Sequence, residues 1–370
     1  MTIFSAQAES AKSPKPLSRK VGIWMLVCGI VGFLIFALMP APYVIFEPGP
    51  VFNTLGSVSV SGKTLPMIEV HDETTYEASG ALDLLTVSTI GDPYEPPSWF
   101  ELVQAWFDPS RTIEPMDAVY PPGESISQLN EESLIDMQNS QKTAIAAALT
   151  QLGYEVPAEV SVGSVIKGTP ADGSLEAGDV IVSLDGQKIV DPDQLRQIIR
   201  SNGATSPISI AFTRNGIEHT VEVTPVMSDT TPKVLIVGFY PVVDYKFPVD
   251  IDIQLENVGG PSGGQMFALG IIDVLTPGSL NGGKAVAGTG TISADGTIGP
   301  IGGIRQKLYG ALWGHAKWFL APKSNCDEVV GHIPTGLQVV AVSTLKDSIA
   351  ALEAISSGKG ISKLPTCPAG

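Results

Sequence analysis

The sequence predicts an α+β fold, with a small mixed β-sheet in each of two domains that follow an N-terminal apolar helix. Three observations support this prediction. Short apolar runs such as residues 208–212 alternate with the period of a β-strand, whereas residues 127–152 and 265–275 have helical spacing or length. Residues 21–39 carry no charge, and this length is sufficient to span a bilayer.

Composition limits the classes of function. With 370 residues, of which 44% are apolar and 16% charged, the chain can form two or three domains with separate cores. The net charge of −16 and the lack of a basic stripe argue against a nucleic-acid partner. The four histidines are far apart in the sequence, and none belongs to a short metal-ligand pattern. We therefore expect neither a metal nor a cofactor.

The N-terminal segment predicts a membrane anchor. Residues 1–20 contain Lys12, Lys15, Arg19 and Lys20, and few basic residues follow the apolar run 21–39. By the positive-inside rule, residues 1–20 form a cytoplasmic tail and the chain from Pro40 onward is extracytoplasmic. A cleavable signal peptide is the alternative. The apolar run is long for a signal peptide, and the sequence at Ala41 is a poor cleavage site.

Residues 40–153 are the least informative part of the chain. We expect strands at 43–46, 57–61 and 82–90, with the segment 47–50 between the first two, and a long helix over 127–152. Between them, four aromatic residues have helical spacing: Trp99, Phe100, Trp106 and Phe107. Such aromatics beyond a membrane span can contact lipid headgroups, but a face packed on the core is the preferred interpretation.

Residues 154–226 resemble a bacterial PDZ domain. The turn at Gly178-Asp179, the hairpin signals Asp185-Gly186 and Asn215-Gly216, and a helix over 193–201 support this resemblance. PDZ domains bind an extended peptide at a sheet edge, which makes a peptide ligand a candidate partner. The loop that usually holds the peptide carboxylate is not recognisable before Val162.

The glycine-rich stretch 259–264 holds the candidate nucleophile. It reads G-G-P-S-G-G and lies between an alternating run, 249–256, and the apolar segment 265–275. Ser262 is therefore predicted at a helix N-terminus, where free N–H groups and the helix dipole can stabilise an oxyanion. We assign this backbone role to Gly260, Pro261 and Gly263.

Lys307 is the candidate base. It lies near the start of a predicted helix after the turn Gly299-Pro-Ile-Gly-Gly303. A lysine can deprotonate a serine only if its pKa is lowered, and burial among apolar neighbours would lower it. Ser-Lys pairs are a recognised alternative to the Ser-His-Asp triad.

These motifs resemble the proteolytic domain of Lon-type peptidases over residues 250–354. P-S-G-G at Pro261 is similar to that family's P-S-A-G, and P-I-G-G-I-R-Q-K is similar to its P-I-G-G-L-K-E-K. The resemblance implies that Ser262 and Lys307 are catalytic and that Thr289 helps to hold the lysine. The departures are Gly263 for alanine and Gln306 for glutamate.

The order of segments is also similar to that of small extracytoplasmic Lon-like proteins of the YlbL type, which combine an anchor, a PDZ domain and a Lon domain without an ATPase. This resemblance implies an ATP-independent serine endopeptidase that cleaves unfolded or exposed segments of extracytoplasmic or membrane proteins. The alternative is a non-catalytic PDZ scaffold at the membrane. A homo-oligomer is compatible with the resemblance, but the sequence fixes no number. The expected domains are residues 1–20, 21–39, 40–153, 154–226, 227–358 and 359–370.

Two further patterns need interpretation. Residues 278–285 satisfy G-x-x-x-x-G-K but end in Ala285, where a phosphate-binding loop has serine or threonine, so we predict no nucleotide partner. With Cys28 inside the span, Cys326 and Cys367 are the only extracytoplasmic thiols. A disulfide between them is the preferred prediction, and two unrelated thiols are the alternative.

Overall fold

The structure is a computed structural model that describes residues 19–60, 62–123, 125–189, 192–228, 233–255 and 258–367. The side chains of Arg19, Lys20 and Asp193 are outside this description. Most of the predicted cytoplasmic tail therefore lies outside the described residues, as do Ser61, Glu256 and the last three residues of the C-terminal tail.

The helices of the described residues are numbered in chain order. They are α1 (Arg19–Leu38), α2 (Trp99–Phe107), α3 (Met116–Val119), α4 (Ile126–Gln151), α5 (Pro192–Asn202), α6 (Gly264–Leu275), α7 (Ile304–Trp313), α8 (Cys326–Val329) and α9 (Leu345–Ser357). Short 3-10 turns cover Pro261–Gly263, Lys323–Asn325 and Ile361–Lys363.

The strands are numbered in the same way. The first ten are β1 (Tyr43–Asn53), β2 (Ser57–Val60), β3 (Lys63–Pro66), β4 (Ile68–Val70), β5 (Ala81–Ile90), β6 (Thr112–Pro115), β7 (Ala158–Val165), β8 (Val180–Leu184), β9 (Gln187–Lys188) and β10 (Ile208–Arg214). The others are β11 (Ile217–Val223), β12 (Val226–Met227), β13 (Leu235–Ile236), β14 (Phe239–Tyr245), β15 (Ile251–Ile253), β16 (Ala285–Gly288), β17 (Thr291–Ile292), β18 (Ile298–Gly299), β19 (Trp318–Pro322) and β20 (Gln338–Val342).

Helix α1 is the one helix in the described ranges that is long and apolar enough to cross a membrane, over Val21–Leu38. Its side chains are almost entirely exposed, because little of the protein packs against it. A signal sequence near an N-terminus can meet the same criteria of length and composition.

A six-stranded mixed sheet forms the centre of the molecule, in the order β20-β19-β16-β5-β1-β6. The first four strands are parallel, and β1 and β6 are antiparallel to their neighbours. The region 40–153 therefore does more than pack on the C-terminal domain, because it supplies half of that domain's sheet. The predicted break at 47–50 is wrong, since β1 continues through it with a bulge between Pro48 and Val51.

Helices cover both faces of the central sheet because successive side chains of each strand point to opposite faces. On one face, α4, α6 and α9 pack on residues such as Leu84, Val286 and Leu320. On the other face, Ile304 and Leu308 of α7 pack on residues that include Ala287 and Phe319. Helices α6 and α7 are therefore separated by the sheet along most of their length.

A second sheet has the order β11-β10-β8-β7-β14, with β9 paired to β8. All of its pairings are antiparallel, so the prediction of a mixed sheet holds only for the central sheet. Asp185 and Asn215 have positive φ, as tight hairpins require. Strand β14 pairs with β7 at the edge of this sheet. The second domain therefore extends beyond the predicted boundary at residue 226.

Two local predictions hold only in part. The described part of the alternating run 249–256 contains the strand β15, which is shorter than the run and pairs with β4. Among the four aromatic residues of α2, Trp99 packs partly buried against a core cluster, whereas Trp106 and Phe107 are 81% and 83% exposed. The buried residues of α2 are Leu102 and Ala105.

Candidate active site

The N-termini of α6 and α7 approach each other at the carboxyl end of β16, although the two helices cover opposite faces of the sheet. Thr289 follows β16 directly and lies between them. Loops at the carboxyl ends of parallel strands are where helices on both faces can converge. The topology thus brings together three residues that are distant in sequence, namely Ser262, Thr289 and Lys307.

Ser262 lies in the 3-10 turn Pro261–Gly263 that leads into α6. Gly260 precedes this turn with φ of 84°, which a residue with a side chain adopts only at a cost. Pro261 then fixes the φ angle of the first turn residue. The glycine and the proline therefore direct the chain into the helix and leave Ser262 half-buried at its N-terminus.

Lys307 lies in the first two turns of α7 and is only 2% exposed. Its Nζ atom is 2.7 Å from Ser262 Oγ and 3.1 Å from Thr289 Oγ1. Burial lowers the pKa of Lys307 from 10.5 to about 7, because desolvation disfavours the charged ammonium. A large fraction of this lysine is therefore neutral near pH 7, as a base for a serine hydroxyl must be.

Thr289 holds the other two residues in place. Its Oγ1 donates a hydrogen bond to the carbonyl oxygen of Ser262 at 3.0 Å and is within reach of Lys307 Nζ. The N–H of Gly290 donates to the same carbonyl at 2.9 Å. Two donors from one loop thus fix the backbone of the candidate nucleophile, and the threonine hydroxyl also contacts the lysine nitrogen.

The backbone donors differ from those assigned from the sequence. The N–H of Gly260 donates to the carbonyl of Ser133 at 2.8 Å, and Pro261 has no N–H to offer. Both assignments are therefore wrong. Ser262 and Gly263 are the second and third residues of the turn, where backbone N–H groups have no acceptor within the helix. These two N–H groups are the candidates for an oxyanion hole.

A groove of about 900 Å³ opens over Ser262 and Lys307. One wall is the carboxyl-terminal half of β5, including Thr86, Val87 and Ser88, and the other is the turn at Gly302 and Gly303. A groove of this size, lined by the candidate nucleophile and the candidate base, has the features expected of a ligand site.

Two segments of the chain match known protein families. Residues 256–354, which contain all three residues of the site, match the C-terminal proteolytic domain of Lon protease, family S16. This segment is a Lon-type proteolytic domain. Residues 133–224 match the PDZ domain family. These residues contain all strands of the second sheet except β14. The PDZ match begins within α4, earlier than the predicted boundary at residue 154.

The curated relatives include Lon proteases, and each of these matches covers only part of this chain and of the relative. The chain is 40% identical over 91 residues to a Lon protease of Azospirillum brasilense, and 32% identical over 105 residues to Lon protease 2 of Bacillus subtilis. These matches cover 24% and 27% of this chain, but only 11% and 18% of the relatives. A solved PDZ domain of an SdrC-like protein from Listeria monocytogenes is 22% identical, covers 22% of this chain and 86% of its own, and has a TM-score of 0.21.

The structure accounts for both departures from the Lon-type motifs. A Cβ atom on Gly263 would lie 2.5 Å from Leu84 Cδ1 and 2.9 Å from Phe267 Cε2, so the space of an alanine methyl is already filled. Gln306 is buried, and its amide oxygen accepts from Thr112 Oγ1 at 2.7 Å while its NH₂ donates to Gly303 O at 3.3 Å. A glutamate carboxylate could not make the second bond, because it has no proton to donate.

Sequence reasoning missed the contribution of α4 to this site. Besides the bond from Gly260 to Ser133, the hydroxyl of Ser140 donates to the carbonyl of Pro261 at 2.8 Å. A Cβ atom on Gly259 would lie 2.2 Å from Ser133 Oγ, so the turn packs closely against the helix. No local signal marks these serines, since their partners lie more than a hundred residues away in sequence.

The structure also describes the other sequence patterns, namely the stretch 278–285 and the two cysteines. Lys284 of the stretch 278–285 donates to the carbonyls of Ile355 and Ser356 at the end of α9, so its side chain is engaged in helix capping. A disulfide joins Cys326 to Cys367. Over the residues that the structure describes, no group of three His, Cys, Asp or Glu side chains has the arrangement of a metal site.

Proposed function

We propose that this chain is a serine endopeptidase in which Ser262 is the nucleophile and Lys307 is the general base. The observation that carries the proposal is the distance of 2.7 Å between Ser262 Oγ and Lys307 Nζ, combined with the burial of the lysine. An exposed lysine would be charged at neutral pH and could not accept a proton. A lysine with a pKa of about 7 can accept one.

The reaction would follow the steps of acyl transfer. Neutral Lys307 accepts the hydroxyl proton of Ser262 while Oγ attacks the scissile carbonyl carbon, and the backbone N–H groups of Ser262 and Gly263 receive the oxyanion. The Lys307 ammonium then donates its proton to the leaving amine as the C–N bond breaks. Water attacks the resulting acyl ester and gives its proton to Lys307. The ester C–O bond then breaks, the carboxylic acid product leaves, and the Lys307 ammonium returns the proton to Ser262 Oγ.

We propose that the substrate binds in an extended conformation along β5. In the described pairings, β16 covers β5 only from Ala81 to Leu84, while β1 pairs with the other edge of β5 as far as Ile90. The edge from Leu85 to Ser88 is therefore open on the side of the groove, where an extended peptide can form backbone hydrogen bonds. Such binding requires an unfolded or exposed segment, and no step in it uses ATP.

We propose that α1 anchors the enzyme in the cell membrane, with the N-terminus in the cytoplasm and both folded domains outside. The basic residues before the span and the apolar character of Val21–Leu38 support this orientation. Recovery of a mature chain that lacks residues 1–40 would show that α1 is a cleaved signal peptide and would contradict the anchor.

The second sheet supports peptide binding as an auxiliary function. Strand β14 lies at the edge of this sheet, and helix α5 is in contact with it. Its Tyr240 and Val242 are exposed. A peptide that pairs with β14 would bind in the way expected of a PDZ domain. The strand that forms this edge follows the PDZ match in sequence and lies beyond the domain boundary expected at residue 226.

The proposed function is tested with the full-length chain in detergent micelles, an unstructured reporter peptide and no nucleotide. We expect cleavage by the wild type and none by Ser262→Ala. The control variant is Ser324→Ala, which changes a surface serine in the 3-10 turn Lys323–Asn325 and should leave the rate unchanged. Equal rates for Ser262→Ala and the wild type would overturn the assignment of the nucleophile, and a requirement for ATP would overturn ATP independence.

A further inference from the structure

Helix α2 begins where the candidate span α1 ends. The N–H of Trp99 donates to Met39 O at 3.2 Å, and the N–H of Ala41 donates to Pro97 O at 2.8 Å. The rings of Trp99 and Phe36 stack with their centroids 5.5 Å apart. Phe36 lies only two residues, or about 3 Å along the helix axis, before the end of α1, so Trp99 lies beside that end. These contacts fix the level of the start of α2 relative to the span.

One side of α2 is buried and another is an exposed apolar surface. Leu102 and Ala105 pack against the protein, in a cluster with Ala41 and Ile45. The exposed apolar side chains are Phe100, Val103, Trp106 and Phe107, at 50%, 53%, 81% and 83% exposure. At about 100° per residue, these four fall within an arc of roughly 120°. A continuous exposed apolar surface with three aromatic rings is more often a binding surface than a surface that faces water.

We propose that α2 lies in the headgroup region of the leaflet from which α1 emerges, with Phe100, Val103, Trp106 and Phe107 inserted toward the acyl chains. Aromatic residues are favoured at this depth, and a short helix with one apolar face binds there in the plane of the membrane. This inference rests on the proposed anchoring by α1. The occupant is a lipid bilayer rather than a protein, because the contact between Trp99 and Phe36 makes this surface continuous with the lipid-facing surface of α1.

This position has a consequence for the active site. A cavity of about 620 Å³ beside α2 is lined by Trp99, Trp106 and Arg111. It shares Thr112, Glu114 and Arg305 with the groove over Ser262. With α2 at the bilayer surface, one end of the groove opens toward the membrane. The substrates expected at this end are polypeptide segments that lie close to the bilayer.

The test uses nitroxide labels on the full-length chain in vesicles of phosphatidylcholine and phosphatidylglycerol. The free thiol Cys28 is first changed to serine, while the thiols of Cys326 and Cys367 are protected by their disulfide. Single labels are then placed by Phe107→Cys on α2 and by Leu34→Cys within α1. The matched control is Ile217→Cys, an exposed apolar position in the hairpin of the second sheet. Circular dichroism confirms that each variant is folded.

Collision rates with oxygen, which concentrates in lipid, and with a water-soluble nickel chelate give the result. We expect the oxygen-to-nickel ratio at Phe107 to be several-fold higher than at Ile217 and to approach that at Leu34. A lipid-like label at Leu34 with a water-like label at Phe107 would overturn this inference and leave the anchor intact. Water-like labels at both positions would contradict the anchor and this inference together. A label at Val103→Cys repeats the measurement on the same face.

Discussion

Lys307 Nζ lies 2.7 Å from Ser262 Oγ, although the two residues belong to helices on opposite faces of the central sheet. The contact forms because both helices begin at the carboxyl end of β16. Thr289, the residue that follows this strand, fixes the serine carbonyl at 3.0 Å and lies 3.1 Å from the lysine nitrogen. If Lys307 is the base and Ser262 the nucleophile, as proposed, they need little rearrangement before reaction.

The first prediction concerns the roles of Lys307 and Thr289. We expect Lys307→Ala to lower kcat/KM for a reporter peptide by about 10²- to 10⁴-fold, the usual contribution of a general base. Adding Ser262→Ala should cause no further loss, because residues that act as a unit are not additive. Thr289→Ala should cost less than Lys307→Ala, and Thr289→Ser should retain most activity. The control is the surface variant Lys346→Ala. Near wild-type turnover by Lys307→Ala would exclude it as the base.

The second prediction tests the packing around Gly263. Because Leu84 and Phe267 fill the space of a Cβ atom, Gly263→Ala should destabilise the protein by about 1–3 kcal/mol, the typical cost of overpacking. Leu84→Ala alone leaves a cavity and should also destabilise it. The double variant should be more stable than the sum of the two effects implies, as measured by chemical unfolding in detergent. Gly302→Ala is the control, since no atom lies within 4 Å of its Cβ position. Strict additivity would show that the two sites do not share this space.

The third prediction concerns the disulfide. Cys326 and Cys367 are 41 residues apart, and the N–H of Ala341 donates to the carbonyl of Pro365 at 2.9 Å, so the tail lies beside β20. Closing a loop of this length should stabilise the fold by about 3–4 kcal/mol in the chain-entropy model. We expect reductant to lower the free energy of unfolding by up to this amount.

The control for the disulfide is the double variant Cys326→Ser/Cys367→Ser, whose stability should not respond to reductant. Alkylation before reduction provides an independent check by mass spectrometry. Modification of both cysteines in the non-reduced protein would contradict the bridge.

The fourth prediction tests the substrate's path along β5. Hydrogen bonds between paired strands involve alternate residues of the peptide on each side. N-methylation of a substrate should therefore lower kcat/KM at every second position, by roughly 2- to 10-fold for each hydrogen bond lost. The intervening positions should tolerate the methyl group. A uniform effect along the peptide, or none, would argue against strand pairing at Leu85–Ser88.

The local parts of the site could be predicted from the sequence, and its long-range parts could not. The glycine turns around Ser262 and before Lys307 have a local pattern that predicts a helix N-terminus. The contacts of Ser133 and Ser140 with the residues around the turn Pro261–Gly263 depend on how α4 packs. This packing is not visible in the spacing of residues along the sequence. The edge strand β14 was missed because it belongs to the second sheet but lies outside residues 154–226, the segment expected to form that domain.

The exposed face of α2 was missed for a related reason. Its aromatic residues have the spacing of a core-facing helix, and only the contacts of Leu102 and Ala105 show which side is buried. A periodic pattern shows that a helix has an apolar face, but it does not show whether that face packs against the protein. A different limit applies to the segment 47–50, which was expected to separate two strands but lies within β1, where a bulge between Pro48 and Val51 accommodates it.

The central claim is that neutral Lys307 activates Ser262, and the most direct test is the rate of covalent labelling by a fluorophosphonate as a function of pH. Burial lowers the pKa of Lys307 to about 7, so the reactive neutral form is scarce at pH 5 and predominates at pH 9. We predict one adduct, on Ser262, whose rate of formation rises with pH through about 7 in the wild type and is lost in Lys307→Met. A rate that is flat between pH 5 and pH 9, or equal in Lys307→Met, would contradict the account.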